Sequence, residues 1–452
     1  MVNVPVGANI QNYVNADPPG TVFQLASGNY AGQSFSPQSN DQFIGAAGGG
    51  TVFNGGGQSS PMVTNGGQTG VVFSNITTTN FNTPARVAPI MTGSGWQIIN
   101  VTSTNNGGAG LYVGGPNNLV QGGSFSNNGQ EGIDGSNADG SKIIGVTANR
   151  NNTDNYDQGW DAGGIKITNT NGLTITGSTV SNNNGNGIWA DINSDNWTIT
   201  DNGVANNNGN GIMYEISHNA TISGNLVAGN TGSQVYVSNS DGVTVSGNGV
   251  EDVPGATING AATGAGIAIW TNSGRGDDPA GQPYLSDNDT ATGNTIVGPA
   301  STTGVFSVLG TMANDNVGGN TFLPFGSAST QAAARQAAAT LPALSAPAVT
   351  AAPGAATAPT APQTSIPGGA SAVPSGAAPV QAADLPNPPA LPAGTTVPAG
   401  YTSGSASDPP VSAAAQAAAG QGNAAGAQAN TLLAGVLALM PPSSGSGPTG
   451  GQ

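Results

Sequence analysis

Residues 182–192 read NNNGNGIWADI, and residues 206–216 read NNNGNGIMYEI. The two phrases share one frame, a run of Asn and Gly followed by Gly-Ile and a short alternation that ends on an acid and an isoleucine. Looser copies stand at 105–113, NNGGAGLYV, and at 127–135, NNGQEGIDG. The aligned glycines Gly110, Gly132, Gly187 and Gly211 recur about every 22 to 24 residues, with one insertion between the second and third copies. Such a period marks a repeat array. Between the copies lies a second strand-like piece: NLVQGGSFS at 118–126, GLTITGSTV at 172–180, NWTITDNGV at 196–204 and GVTVSGNGV at 242–250. Strands this short, punctuated this regularly by Gly and Asn, suit a chain that coils, each turn pairing with the turns above and below at about 4.8 Å. The expected fold is all-β, a right-handed parallel β-helix whose coils bury a core only by stacking. Asn at the turns can stack into hydrogen-bonded ladders.

Composition limits the function. The chain has 73 Gly, 31 Pro and no Cys, with six basic against 22 acidic residues and a net charge of −16. That surface repels nucleic acid and anionic membranes, and it lacks the Lys/Arg clusters either would need. Without Cys there is neither a disulfide framework nor a thiolate metal site. The opening MVNVPVGANI has no basic segment followed by an apolar one, so any signal peptide is missing, removed or replaced by another export route. The stretch LLAGVLALM at 432–440 is about half the length of a membrane span. Near residue 326 the composition turns to Ala, Pro, Ser and Gln. The expected division is a β-helix over 1–326 and a disordered, low-complexity tail over 327–452, which cannot bury enough apolar area to offset its ordering entropy. The tail carries Arg335, Asp384 and Asp408, so the acidity belongs to the body.

The stretches PVGANIQNYVNADPPGTVFQLASGNY at 5–30 and FIGAAGGGTVFNG at 43–55, with the later series GGIKI, GNGIWADI and GNGIMYEIS, resemble bacterial right-handed β-helix repeat proteins of the pectate-lyase-like superfamily. The resemblance covers roughly residues 3–325. It implies the fold, and a set of activities that runs from polysaccharide lyases, glycoside hydrolases and uronate epimerases to non-catalytic surface proteins. Fold alone does not choose among these.

Alternate strand residues face opposite sides. In GIWADI the inward set is Ile188, Ala190 and Ile192; in GIMYEI it is Ile212, Tyr214 and Ile216. Aligning the copies on Gly-Ile places Lys166, Trp189 and Met213 in one outward column and Thr168, Asp191 and Glu215 in the next. Asp134 heads the first column if the insertion at 150–162 loops out without disturbing the register. Asp191 and Glu215 then lie side by side on adjacent coils, with Lys166 within side-chain reach and His218 nearby. A plain solvated face would also carry polar residues here, and His218 would then serve a turn. Stacked like charges are destabilising, however, and Trp189 and Met213 gain nothing from water. Two insertions flank this region. NRNNTDNYDQGWDAG at 149–163 brings Asp154, Tyr156, Asp157, Trp160 and Asp161; IWTNSGRGDDPAGQPYLSDND at 269–289 brings Trp270, Arg275, Asp277, Asp278 and Tyr284. Loops on a rigid scaffold often carry function, and aromatic residues mixed with carboxylates suit carbohydrate.

Three functions compete. A lyase or epimerase acting on an extracellular polysaccharide would use Lys166 as base, with Asp161, Asp191 and Glu215 holding Ca²⁺, which prefers oxygen ligands. Carboxylates beside Lys166 raise its pKa, so this mechanism requires the metal. A glycoside hydrolase would use Asp191 and Glu215 as acid and base or nucleophile. A non-catalytic surface or glycan-binding rod would use neither. In the first two, Trp189, Trp160 and Tyr156 would contact the sugar, with His218 among the catalytic candidates. Extracellular or cell-surface placement follows from such a partner.

Overall fold

The computed structural model describes residues 1–324, apart from 48, 64–66, 252–256, 259–260, 263–265, 273–274, 299–304 and 309–313. The tail expected from residue 327 onward lies outside the described residues. Every extended pairing between coils is parallel, each coil to the next, in a right-handed β-helix of about 11 turns. Among the described residues two 12-stranded sheets run along the coil, and a third, of eight strands, joins them partway. One coil shows the pattern. Lys142–Ile144 lies in the first sheet, Thr147–Asn149 in the second and Gly163–Thr168 in the third, before the chain returns to the first sheet at Thr174–Thr176. The third sheet begins only at Leu111–Gly114; in earlier coils its place is held by single bridges such as Phe35 with Val63 and Val63 with Ile90. A short helix, Ile10–Ala16, follows the first strand, with Asn9 accepting the backbone N–H of Asn12 at 3.2 Å.

The period-two reading of the strands holds inside the coil, where Ile165, Ile167, Ile188, Ala190, Ile212 and Tyr214 are all buried in one continuous core. At the N-terminal end inward positions of the first sheet stack aromatic rings, Phe23 on Phe43 at 5.1 Å and Phe43 on Phe73 at 4.9 Å. The expected asparagine ladders are present. Asn106, Asn128, Asn151, Asn183, Asn207 and Asn230 each present a side-chain oxygen to the coil before, or a side-chain nitrogen to the coil after, and Gln234 ends the series. Each ladder oxygen also accepts a backbone N–H from the neighbouring coil. A turn that would otherwise bury unpaired backbone groups is thereby satisfied.

One expectation fails. Ile192 and Ile216 do not continue the inward alternation: the strands end at Asp191 and Glu215, and both isoleucines turn into the left-handed region, with φ of 51° and 42°. Ile192 is 37% exposed. The chain must bend there to reach the next sheet, and that bend outranks the apolar pattern.

Candidate functional site

The outer face of the eight-stranded sheet carries the repeated acids. Its register puts Asp134 opposite Lys166, Lys166 opposite Trp189 and Trp189 opposite Met213, while Thr168, Asp191, Glu215 and Ser238 form the adjoining column. The insertion at 150–162 therefore loops out without shifting the strands. The two insertions enter at opposite ends of this sheet's strands, one just before Gly163–Thr168 and the other just after Ile267–Trp270. Both fold over the outer face. As a result Lys166, Asp191 and Glu215 are only 5%, 7% and 8% exposed, a covered face where a hydrated one would leave them open.

Beneath this cover the charges are paired. The Lys166 ammonium lies 3.0 Å from Asp191 and 3.7 Å from Asp161, sits 3.6 Å from the centre of the Trp189 ring and donates to the Trp160 carbonyl. Asp161 also takes Arg86 at 2.7 Å, and that guanidinium stands over the Trp160 ring. Glu215 pairs with Arg275 from the second insertion and accepts the Trp189 indole N–H at 3.2 Å. Trp189, Met213, Tyr236, Ala268 and Trp270 make an apolar patch beside this row, separate from the core within the coil. Trp189, expected as a sugar platform, is 4% exposed, with one face already against Lys166.

The electrostatics differ along the row. Burial disfavours the Lys166 ammonium, but Asp191, Asp161 and Glu131 outweigh it and raise its pKa, so this lysine is a fixed cation at neutral pH and a poor base. Burial, then the neighbouring Asp191, push Glu215 up to about 7, against the lowering pull of Arg275, Lys166 and the indole. Glu215 is thus the group of this row poised to exchange a proton near neutrality.

The three carboxylates expected to hold Ca²⁺, Asp161, Asp191 and Glu215, are each paired with a basic side chain. Asp161 is neutralised by Arg86 and Lys166, Asp191 by Lys166 and Glu215 by Arg275, so the set does not fit a shared ion. Asp161 instead joins Glu131 and Asp134, one oxygen of each lying within 4.8 Å of the others. His218 lies beyond the end of the outer-face strand, on His218–Ser223 of the first sheet, and not in the Lys166 row. Its Nδ1 meets Asp241, its Nε2 is 3.5 Å from Asp278 of the second insertion, and Tyr284 stacks on its ring at 5.7 Å. Burial works against its charged form, but Asp241, Asp195 and Asp278 raise its pKa. Tyr156 is half-buried on the first insertion, its backbone N–H held by Asn152 at 2.6 Å. Sequence reasoning missed Arg86, Glu131 and Asp241. Glu131 stands in a repeat copy but off the outward alternation, and Arg86 lies in an irregular stretch with a left-handed backbone (φ 62°) and no periodic signal.

Residues 90–250 match the family model described as right handed beta helix region. No curated protein matches the sequence. Among solved structures, a mannuronan C-5 epimerase A-module from Azotobacter vinelandii is similar at 18% identity and a TM-score of 0.50, over 70% of this chain and 93% of that one. A second such A-module from the same organism gives 16% and 0.49, over 72% and 98%, and a periplasmic alginate epimerase gives 15% and 0.44, over 71% and 84%. At these identities the first likeness speaks for the fold, and the other two add nothing to it. The chain folds as a right-handed parallel β-helix.

Proposed function

We propose that this chain is a carbohydrate-active β-helix protein that removes the proton α to the carboxylate of a uronate residue, as a lyase or a C-5 epimerase of an extracellular polysaccharide. The observation that carries the reading is Glu215, raised to about 7 and flanked by Arg275 and the permanently charged Lys166. Three of the chain's six basic residues, Arg86, Lys166 and Arg275, gather on this face, where they can meet an acidic polymer that the rest of the surface repels. Arg275 would exchange Glu215 for the substrate carboxylate, which removes the counter-charge from Glu215 and makes it a stronger base. Glu215 takes the α proton, and the electron pair moves into an enolate held by Arg275 and Lys166. A proton delivered from water to the opposite face inverts the carbon and leaves the abstracted proton on Glu215; alternatively the β-linked oxygen is expelled, taking up a proton from Glu215 or water, which cleaves the chain and leaves an unsaturated end.

Glycoside hydrolysis is the second reading. It is favoured by one specific feature: of two carboxylates on adjacent strands, Asp191 is held by Lys166 and Glu215 is raised, the asymmetry that an acid and its partner need. Incubation with alginate and pectate in D₂O separates the two. Deuterium at the α carbon, or unsaturated chain ends, lost in Glu215→Gln, supports proton abstraction. New reducing ends without either mark would replace it with hydrolysis. The absence of all three across the panel would leave a glycan-binding rod.

A further inference from the structure

We propose that His218 is a proton-operated clasp, which as an imidazolium holds the turn 276–283 of the second insertion beside the Glu215 end of the Lys166 row and as a neutral imidazole releases it. The clasp takes its purpose from the reading of that row as the reacting site. His218 opens the strand His218–Ser223, and both of its ring nitrogens face carboxylates. Nδ1 meets Asp241, on the strand Asp241–Ser246 of the next coil. Nε2 is buried without a hydrogen bond and faces Asp278 of the insertion at 3.5 Å. Asp195, on the coil before, accepts the His218 backbone N–H at 2.7 Å, and the Tyr284 ring stacks on the imidazole at 5.7 Å. The turn is closed by its own bonds, from the Asp278 N–H to the Gln282 carbonyl at 2.7 Å and from the Tyr284 N–H to the Gly276 carbonyl at 3.1 Å. Among the described residues, Asp278 is the one side chain between Gly276 and Pro283 that reaches the coil through a polar contact, and its neighbours in the turn are exposed.

Proton count decides what this arrangement can do. A neutral imidazole carries one N–H, whereas an ionised carboxylate only accepts. With His218 neutral, one ring nitrogen must therefore point a lone pair at a carboxylate. Asp241 makes the closer contact and keeps the proton, so the lone pair faces Asp278 and the two repel. With His218 charged, both nitrogens donate, and the cation also gains from the Tyr284 ring. Because Asp241 belongs to the coil and Asp278 to the insertion, loss of the proton detaches the turn and spares the strands. Burial works against the charged ring, but Asp241, Asp195 and Asp278 outweigh it and raise its folded-state pKa. The contact is therefore complete below the ordinary histidine range and is lost as pH rises through the raised value. At the start of the segment Arg275 holds Glu215, which gains its charge as pH rises, and the bond from the Tyr284 hydroxyl to Asn193 is indifferent to His218's proton. The turn between these two anchors is the part set free.

The test uses no substrate, so the clasp and the polysaccharide reading fail separately. His218 is the only histidine of the chain, so the ring C–H signals in the NMR spectrum of the full chain report its titration directly. Amide hydrogen exchange of the same chain, corrected for the intrinsic rate, is followed from about pH 6 to about pH 9. Protection across 276–284 should fall several-fold, with its midpoint at the measured His218 pKa, while the strand Ile212–Glu215 stays protected. Asp278→Asn should lower the His218 pKa and leave the turn weakly protected at every pH. His218→Gln should abolish the step, and it decides the matter if Asp278→Asn disturbs the turn itself. A turn equally protected across the range overturns the proposal, as does a step that persists in His218→Gln or lies away from the measured pKa. So does a His218 pKa unmoved in Asp278→Asn, which would mean that the two side chains do not pair.

Discussion

Ile192 and Ile216 each follow an acid of the outer face, and each occupies a left-handed position that Asn137, Asn169 and Asn239 fill in neighbouring coils. Asparagine tolerates that conformation; a β-branched residue does so only under strain, of about 1 to 2 kcal/mol. Ile192 is 37% exposed and recovers little of this by burial. Ile192→Asn should therefore stabilise the protein by about 1 kcal/mol, read as a higher urea midpoint at unchanged slope; an unchanged or lower midpoint would remove strain from the account. The sequence reading failed at these two residues because alternation says which side a side chain takes only while the strand continues, and a bend carries no apolar signal. The same alternation did give the Lys166–Trp189–Met213 and Thr168–Asp191–Glu215 columns, since a shared Gly-Ile frame fixes the register. A second prediction rests on Glu215. Arg275 lowers its pKa, so Arg275→Ala should move the acidic limb of any activity profile to higher pH as well as weaken substrate binding. A limb that stays in place would show that another group titrates.

The elements that hold this face are a ladder and a loop. Asn183 accepts the backbone N–H and side-chain amide of Asn151 at 2.9 Å each, and donates to Asn207 and to the Ala148 carbonyl. Asn183→Ala would strand these groups in a buried turn at about 1 to 3 kcal/mol for each donor or acceptor left unsatisfied. It should lower the unfolding midpoint far more than the same change at Asn29 on the surface, and equal effects would mean the ladder is decorative. Three side-chain contacts tie the segment 275–289 to the outer face, Arg275 to Glu215, Asp278 to His218 and the Tyr284 hydroxyl to Asn193, alongside hydrogen bonds such as Asn239 to the Tyr284 carbonyl and Val243 to Asp289. Tyr284→Phe with His218→Gln removes two of the three contacts. Amide hydrogen exchange across 275–289 should then accelerate while the strands keep their protection, and unchanged exchange would assign the hold to the remaining bonds and packing. The insertions were legible as insertions because they break the period. Their folding over the sheet was not, because side-chain pairings such as Arg86 with Asp161 join residues that share no repeat position.

The whole coil is acidic, and two of its buried acids, Asp289 and Glu215, titrate in an unusual sense. Burial raises Asp289 to about 8 and Glu215 to about 7, from ordinary values of 3.8 and 4.5. For each, the folded state binds its proton more tightly than the unfolded chain does. Stability is therefore fully present below the ordinary carboxylate range and is lost as pH rises through the folded value. His218 adds to the same trend, since its raised pKa favours the folded state only while it is protonated, and that contribution fades as pH climbs past its folded value. These raised groups should make the β-helix most stable in mildly acidic buffer. In chelator, Tm should fall steadily from about pH 5 to about pH 8, and Asp289→Asn should flatten the alkaline part of that fall. The measurement is a series of thermal melts at constant ionic strength. A Tm that rises with pH over this range would mean that the buried carboxylates are ionised and paired in the folded state, and would reverse the electrostatic reading of the outer face from Glu215 outward.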